Sequence, residues 1–241
     1  MVEQTRLSGL EGLAAMFDAA DSAGRAAFLP YFPVGFPDYD TSVEVIAALA
    51  ETGVDGFEIG VPFSDPLADG PTIQAATQVA LENGITVRKC LQAVKTLRDR
   101  GVTQPMMLMS YANPLIAYGP DLVADASAAG VDGLIVPDLP PEEAHYFADA
   151  CTEHGLALIF FLAPTSDEHR LRMVAERATG FIYAVSLTGI TGARTDLPAD
   201  LKDFVARMRS YTDKRIVLGF GISQPEHARR MTGLVDGFIV G

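Results

Sequence analysis

The segment that most resembles catalytic machinery is Phe57-Glu-Ile-Gly-Val-Pro-Phe-Ser-Asp-Pro-Leu-Ala-Asp-Gly-Pro-Thr, which spaces three carboxylates, Glu58, Asp65 and Asp69, through an apolar run and a stiff loop. If Phe57–Val61 is a strand, its side chains alternate, so Phe57, Ile59 and Val61 share one face and Glu58 the other. A carboxyl set among such neighbours is costly unless it is protonated, hydrogen-bonded or paired. Burial raises its pKa toward working pH, which is how an acid/base catalyst is made. The competing reading of Glu58 is a structural ion pair or a solvated strand face. Asp69 has two readings: a catalytic carboxylate, or the cap of the helix that begins near Ile73. Glycines gather in Thr188-Gly-Ile-Thr-Gly-Ala, in Gly219-Phe-Gly-Ile-Ser and at Gly241. Backbone N–H groups freed by glycine near helix starts make anion sites that need no lysine.

These residues need a frame. Eight short, nearly all-apolar runs read as strands: 28–32, 56–61, 106–109, 133–136, 157–162, 181–185, 215–220 and 237–240. Stretches of helical period such as Ser42–Ala50, Val87–Leu97 and Glu168–Ala175 lie between them, and one more, Leu10–Ala20, precedes them. Strands that lack polar alternation are covered on both faces, and intervening helices supply the crossovers that parallel pairing requires. Gly53-Val-Asp-Gly-Phe, Gly130-Val-Asp-Gly-Leu and Gly233-Leu-Val-Asp-Gly-Phe repeat one phrase where a helix gives way to a strand. The expected fold class is α/β: a (β/α)8 barrel over residues 1–241 as one domain, with an extra N-terminal helix. A doubly wound open sheet is the alternative, but no GxGxxG follows the first strand. The chain ends on the eighth strand, so the closing helix is expected to be missing. In a barrel the active site lies at the C-terminal strand ends, where Glu58 and the glycine clusters fall; residues 188–198 are long enough to form a lid.

Composition narrows the partners. The chain has 241 residues, 49% hydrophobic, with 31 acidic against 18 basic residues and a net charge of −13. A mean hydropathy of +0.20 excludes disorder, and the negative charge opposes nucleic acid and anionic membranes. No run approaches a spanning helix and no leader is readable, so the expected location is cytoplasmic. Cys90 and Cys151 are expected as free thiols. His145, His154, His169 and His227 fall in helical stretches away from strand ends, so no metal site is expected and the four read as surface or core-edge residues.

From Phe57 to Gln74 the sequence resembles the tryptophan synthase alpha subunit family. The similarity continues through Tyr111-Ala-Asn-Pro, Val136-Pro-Asp-Leu-Pro, Thr188-Gly-Ile-Thr-Gly-Ala and Gly219-Phe-Gly-Ile-Ser-Gln-Pro-Glu, in the family's order. The resemblance implies retro-aldol cleavage of indole-3-glycerol phosphate to indole and glyceraldehyde 3-phosphate. Glu58 would be the acid/base, Asp69 the holder of the indole N–H, and Tyr183 a neighbour of the reacting group. Tyr31 and Tyr111 would line the indole pocket. Thr191, Gly192, Phe220, Gly221 and Gly241 would belong to the lid and phosphate site. Asp65, Pro66, Asn113 and Pro140 would meet a pyridoxal-phosphate beta subunit in an alpha-beta-beta-alpha heterotetramer, and no cofactor is implied for this chain. The family carries Phe at the position of Tyr31 in many members, and continues past Gly241 with a serine, a short helix and a closing helix. The alternatives to this reading are a phosphosugar isomerase of similar barrel architecture and a non-catalytic or weakly active regulatory partner of a beta subunit.

Overall fold

The computed structural model describes residues 6–185, 201–219, 222 and 224–241. Helix α1 (Gly9–Ser22) comes first, followed by β1 (Ala27–Pro33), α2 (Tyr39–Glu51), β2 (Phe57–Gly60), α3 (Pro71–Glu82), α4 (Val87–Asp99) and β3 (Met106–Met109). After these come α5 (Ala112–Tyr118), α6 (Leu122–Ala129), β4 (Gly133–Ile135), α7 (His145–His154), β5 (Ala157–Leu162), α8 (Glu168–Arg177) and β6 (Phe181–Val185). The chain ends with α9 (Leu201–Arg209), β7 (Arg215–Gly219), α10 (Pro225–Met231) and β8 (Gly237–Val240). The eight strands pair in parallel and in sequence order, and β8 returns to β1, so the sheet is a closed barrel as the strand pattern predicts.

Strand alternation divides the core. Phe57, Ile59 and Val61 pack outward with Ile46 of α2 and Leu91 and Val94 of α4, while Leu29, Met107, Ile135, Ile159, Phe181 and Val217 fill the interior. Leu13, Met16, Phe17 and Ala20, spaced as one helical face, belong to that interior cluster, so α1 plugs the N-terminal end of the barrel. The ring of Phe17 meets Phe181 edge-on at 6.0 Å.

The repeated Asp-Gly phrase is one joint. Asp55 donates its N–H to the Phe28 carbonyl at 2.9 Å, and its carboxylate accepts from the Phe28 N–H at 2.8 Å. Asp132 holds Met106 in the same two-point way, both contacts at 2.8 Å, and Asp236 holds Ile216 at 2.9 and 2.6 Å. Each carboxylate is also paired with arginine: Asp55 with Arg25, Asp132 with Arg6 and Arg98, and Asp236 with Arg209 and Arg215. The joint occurs a fourth time where the phrase is disguised. Thr179, followed like the others by Gly, donates its N–H to the Leu158 carbonyl at 3.1 Å, and its hydroxyl accepts from the Leu158 N–H at 2.7 Å. Strands β2, β4, β6 and β8 are thus each locked to the strand before them at the N-terminal rim.

Among the described residues no helix is long and apolar enough to cross a membrane. Cys90 and Cys151 are buried free cysteines. His227 corrects the expectation for the histidines: it is 1% exposed, inside the fold rather than at its edge.

Candidate active site

Glu58 enters the interior because its neighbours on β2 are claimed by the helices. In register it sits beside Tyr31 of β1 and Met107 of β3. It is 3% exposed. Burial, with a smaller contribution from the nearby Asp69 charge, pushes its carboxyl up to about 8. At neutral pH Glu58 therefore holds a proton, which excludes the solvated-face reading.

Asp69 reaches the same space from the loop after β2. The structure decides between its two readings: α3 is capped by the Gly70 backbone without a side-chain bond, and the Asp69 carboxylate instead accepts from the Tyr111 hydroxyl at 3.2 Å. Burial raises Asp69 to about 6, and the Tyr111 hydrogen bond opposes the rise. The two carboxyls are thus poised differently at pH 7, Glu58 protonated and Asp69 ionised, a separation that assigns acid and anion roles to neighbouring groups. Tyr111 also accepts from the Ala68 N–H at 2.8 Å and packs against Phe63 at 5.2 Å. It stands behind Asp69 and fixes the loop, rather than lining the cavity.

The cavity, of about 190 Å3, is lined by Tyr31, Glu58, Asp69, Tyr183 and Gly241, all anticipated from sequence. Met109, Phe161, Pro137, Ile73 and Ile222 supply apolar walls and were not anticipated. In the sequence they read as core; only their place at the C-terminal rim marks them, Met109 and Phe161 on strands, Pro137 and Ile222 in loops and Ile73 in α3. Phe161 stacks on Tyr183, centroids 4.6 Å apart and planes 25° from parallel. Burial raises the hydroxyls of Tyr31 and Tyr183 well above the usual tyrosine range, so both are neutral donors. Thr191, Gly192, Phe220 and Gly221, and the lid expected over 188–198, lie outside the described residues. Asp65 and Asn113 are exposed and Pro66 and Pro140 half-buried; Asp65, Pro66 and Pro140 lie in the loops after β2 and β4, and Asn113 in the first turn of α5 after β3, on this same rim.

Two interior glycines make room for the tyrosines. A Cβ on Gly60 would lie 2.3 Å from the Tyr31 hydroxyl oxygen, and one on Gly219 2.1 Å from the Tyr183 ring. Gly60→Ala is therefore expected to drive the Tyr31 ring out of place, costing about 1–3 kcal/mol by overpacking. Urea unfolding should show that loss, and Tyr31→Leu in the same chain should recover most of it.

A parallel barrel with a protonated and an ionised carboxyl at the C-terminal ends of its strands, walled by aromatic and aliphatic side chains, defines a barrel enzyme of the acid/base type. A family model described as tryptophan synthase alpha chain matches residues 17–241. The tryptophan synthase alpha chain of Chloroflexus aggregans is 50% identical over 221 residues, covering 91% of this chain and 83% of that one. That of a Roseiflexus species is 49% identical over 229 residues, covering 95% and 88%. Among solved structures, tryptophan synthase of Mycobacterium tuberculosis superposes with a TM-score of 0.90 at 40% identity, covering 98% of this chain and 89% of that one. The chain belongs to the tryptophan synthase alpha chain family, enzymes of tryptophan biosynthesis.

Proposed function

We propose that this chain cleaves indole-3-glycerol phosphate to indole and glyceraldehyde 3-phosphate, a lyase reaction with Glu58 as its proton carrier. The observation that carries this reading is the pairing of protonated Glu58 with ionised Asp69 in one aromatic-walled cavity. Cleavage delivers one proton to indole C3 and removes one from the side-chain hydroxyl next to the breaking bond, so the cycle is proton-neutral. Glu58 gives its proton to C3, which places positive charge on the ring as an iminium. Asp69 accepts the indole N–H and stabilises that charge. The resulting Glu58 carboxylate takes the hydroxyl proton as the C3–carbon bond breaks; the bonding electrons return to the ring, the aldehyde forms, and Glu58 is again protonated. Tyr31 and Tyr183 flank the reacting end as neutral donors. Gly241, at the cavity edge, belongs to the phosphate end with Thr191, Gly192, Phe220 and Gly221.

The partner is a pyridoxal-phosphate beta subunit, in an alpha-beta-beta-alpha assembly, docked on the rim that carries Asp65, Pro66, Asn113 and Pro140. Two large apolar side chains close by in the chain, Leu67 in the loop after β2 (82% exposed) and Ile116 in α5 (60%), support an interface there. The chain itself needs no cofactor for this chemistry and works in the cytoplasm.

The test is indole release from indole-3-glycerol phosphate by the purified chain, with and without a beta subunit. Turnover that rises on adding the beta subunit is expected, and absence of indole in both assays would refute the reading. Asp69→Asn removes the charge that holds the iminium and is expected to lower kcat about 100-fold. A change confined to KM would contradict its role.

A further inference from the structure

A second hollow, of about 320 Å3, adjoins the reaction cavity, and Phe161 and Pro137 line both. Pro137 is a rigid ring at the end of β4. Phe161 projects from β5, only partly buried, whereas its strand neighbours Phe160 and Leu162 are each 2% exposed. One face of the Phe161 ring stacks on Tyr183 beside the reacting carboxyls. The second hollow is bounded further by Asp138, Leu139, Pro140, Ser166 and Val185. The ring therefore stands between two spaces rather than being part of a solid wall.

We infer that Phe161 sets the size limit of the aromatic part of the substrate, and that a smaller residue there admits indole glycerol phosphates carrying a substituent on the benzo ring, the added group entering the second hollow. This rests on the reaction proposed above and names the specificity of that site. An aromatic wall rejects one extra methyl group by about 10- to 200-fold in kcat/KM. Removing the wall where space lies behind it returns that factor. The Tyr183 stack is lost at the same time, so turnover of the unsubstituted substrate falls, and the ratio of substituted to unsubstituted kcat/KM isolates the partition from the general loss.

The experiment measures kcat/KM for the parent substrate and its 4-, 5-, 6- and 7-methyl derivatives with the wild-type chain, Phe161→Leu and Phe161→Ala. The expected result is a rise in the methyl-to-parent ratio at one or two ring positions, at least tenfold in Phe161→Ala and smaller in Phe161→Leu. Calorimetric binding of the four methylindoles provides the same comparison without turnover, and Phe161→Leu alone decides the matter if the alanine variant does not fold. Ratios unchanged at all four positions, in both turnover and binding, would overturn the inference. A wild-type chain that fails to cleave the parent while its variants gain affinity for a methylindole would overturn the proposed reaction and leave the partition standing.

Discussion

Glu58→Gln is expected to reduce indole release by about 1,000-fold or more while making the chain more stable at alkaline pH. Activity falls because one carboxyl both gives and takes the proton, and general acid/base contributions of this kind run to 10²–10⁴-fold. An amide keeps the shape and can do neither. The stability change follows from the raised carboxyl. Below pH 4.5 Glu58 is protonated in folded and unfolded chains alike. Between 4.5 and about 8 the unfolded chain has released a proton that the folded chain still holds, so stability falls as pH rises, by about 1.4 kcal/mol per unit at most. Above about 8 both forms are ionised and the full penalty is present. Gln carries no such penalty. Urea unfolding at pH 5.5 and 9 should therefore show a steeper alkaline loss in the wild-type chain, with Glu58→Gln ahead by up to about 5 kcal/mol at pH 9. Equal slopes would mean that Glu58 is not held protonated.

The second large effect lies at the opposite end of the barrel. Asp132→Ala is expected to cost about 3–5 kcal/mol, a substantial part of the ~5–15 kcal/mol that holds a domain folded. Asp132 is fully buried, pairs with Arg6 at 2.8 Å and Arg98 at 2.6 Å, and accepts the N–H groups of Met106 and of Gly9, the latter at 2.7 Å at the start of α1. Arg98, already lowered to about 10 by burial, is held charged mainly by this carboxylate. Its removal strands a guanidinium, two backbone donors and the anchor of the helix that plugs the barrel. Thermal unfolding and proteolysis near residue 9 report the loss, while kcat in the cold, still folded variant should stay within about threefold, since the site lies at the far rim. A cost below 1 kcal/mol would show that the joint is dispensable.

The fold was legible because strands covered on both faces lose polar alternation, and because Gly-Val-Asp-Gly announces the start of a strand. The fourth joint was hidden, since Thr179 performs with one hydroxyl and no arginine what three aspartates do; only its place before Gly180-Phe181 gives it away. The chemistry of the site was legible in the same way. Glu58 stands out as a charged residue in an apolar strand, and its inward direction follows from parity. Asp69 did not resolve, because its two readings differ in where a loop turns, which depends on Tyr111, 42 residues away. Met109, Phe161 and Pro137 could not be separated from core, since an apolar wall and an apolar core use the same residues and differ only in whether space lies beyond.

The most direct test of the account is kcat/KM for cleavage of indole-3-glycerol phosphate followed from pH 5 to 10. The free enzyme must hold Asp69 ionised and Glu58 protonated, so the profile is expected to rise through about 6, fall through about 8, and peak between them. No indole at any pH, or a rate still climbing above pH 9, would contradict it.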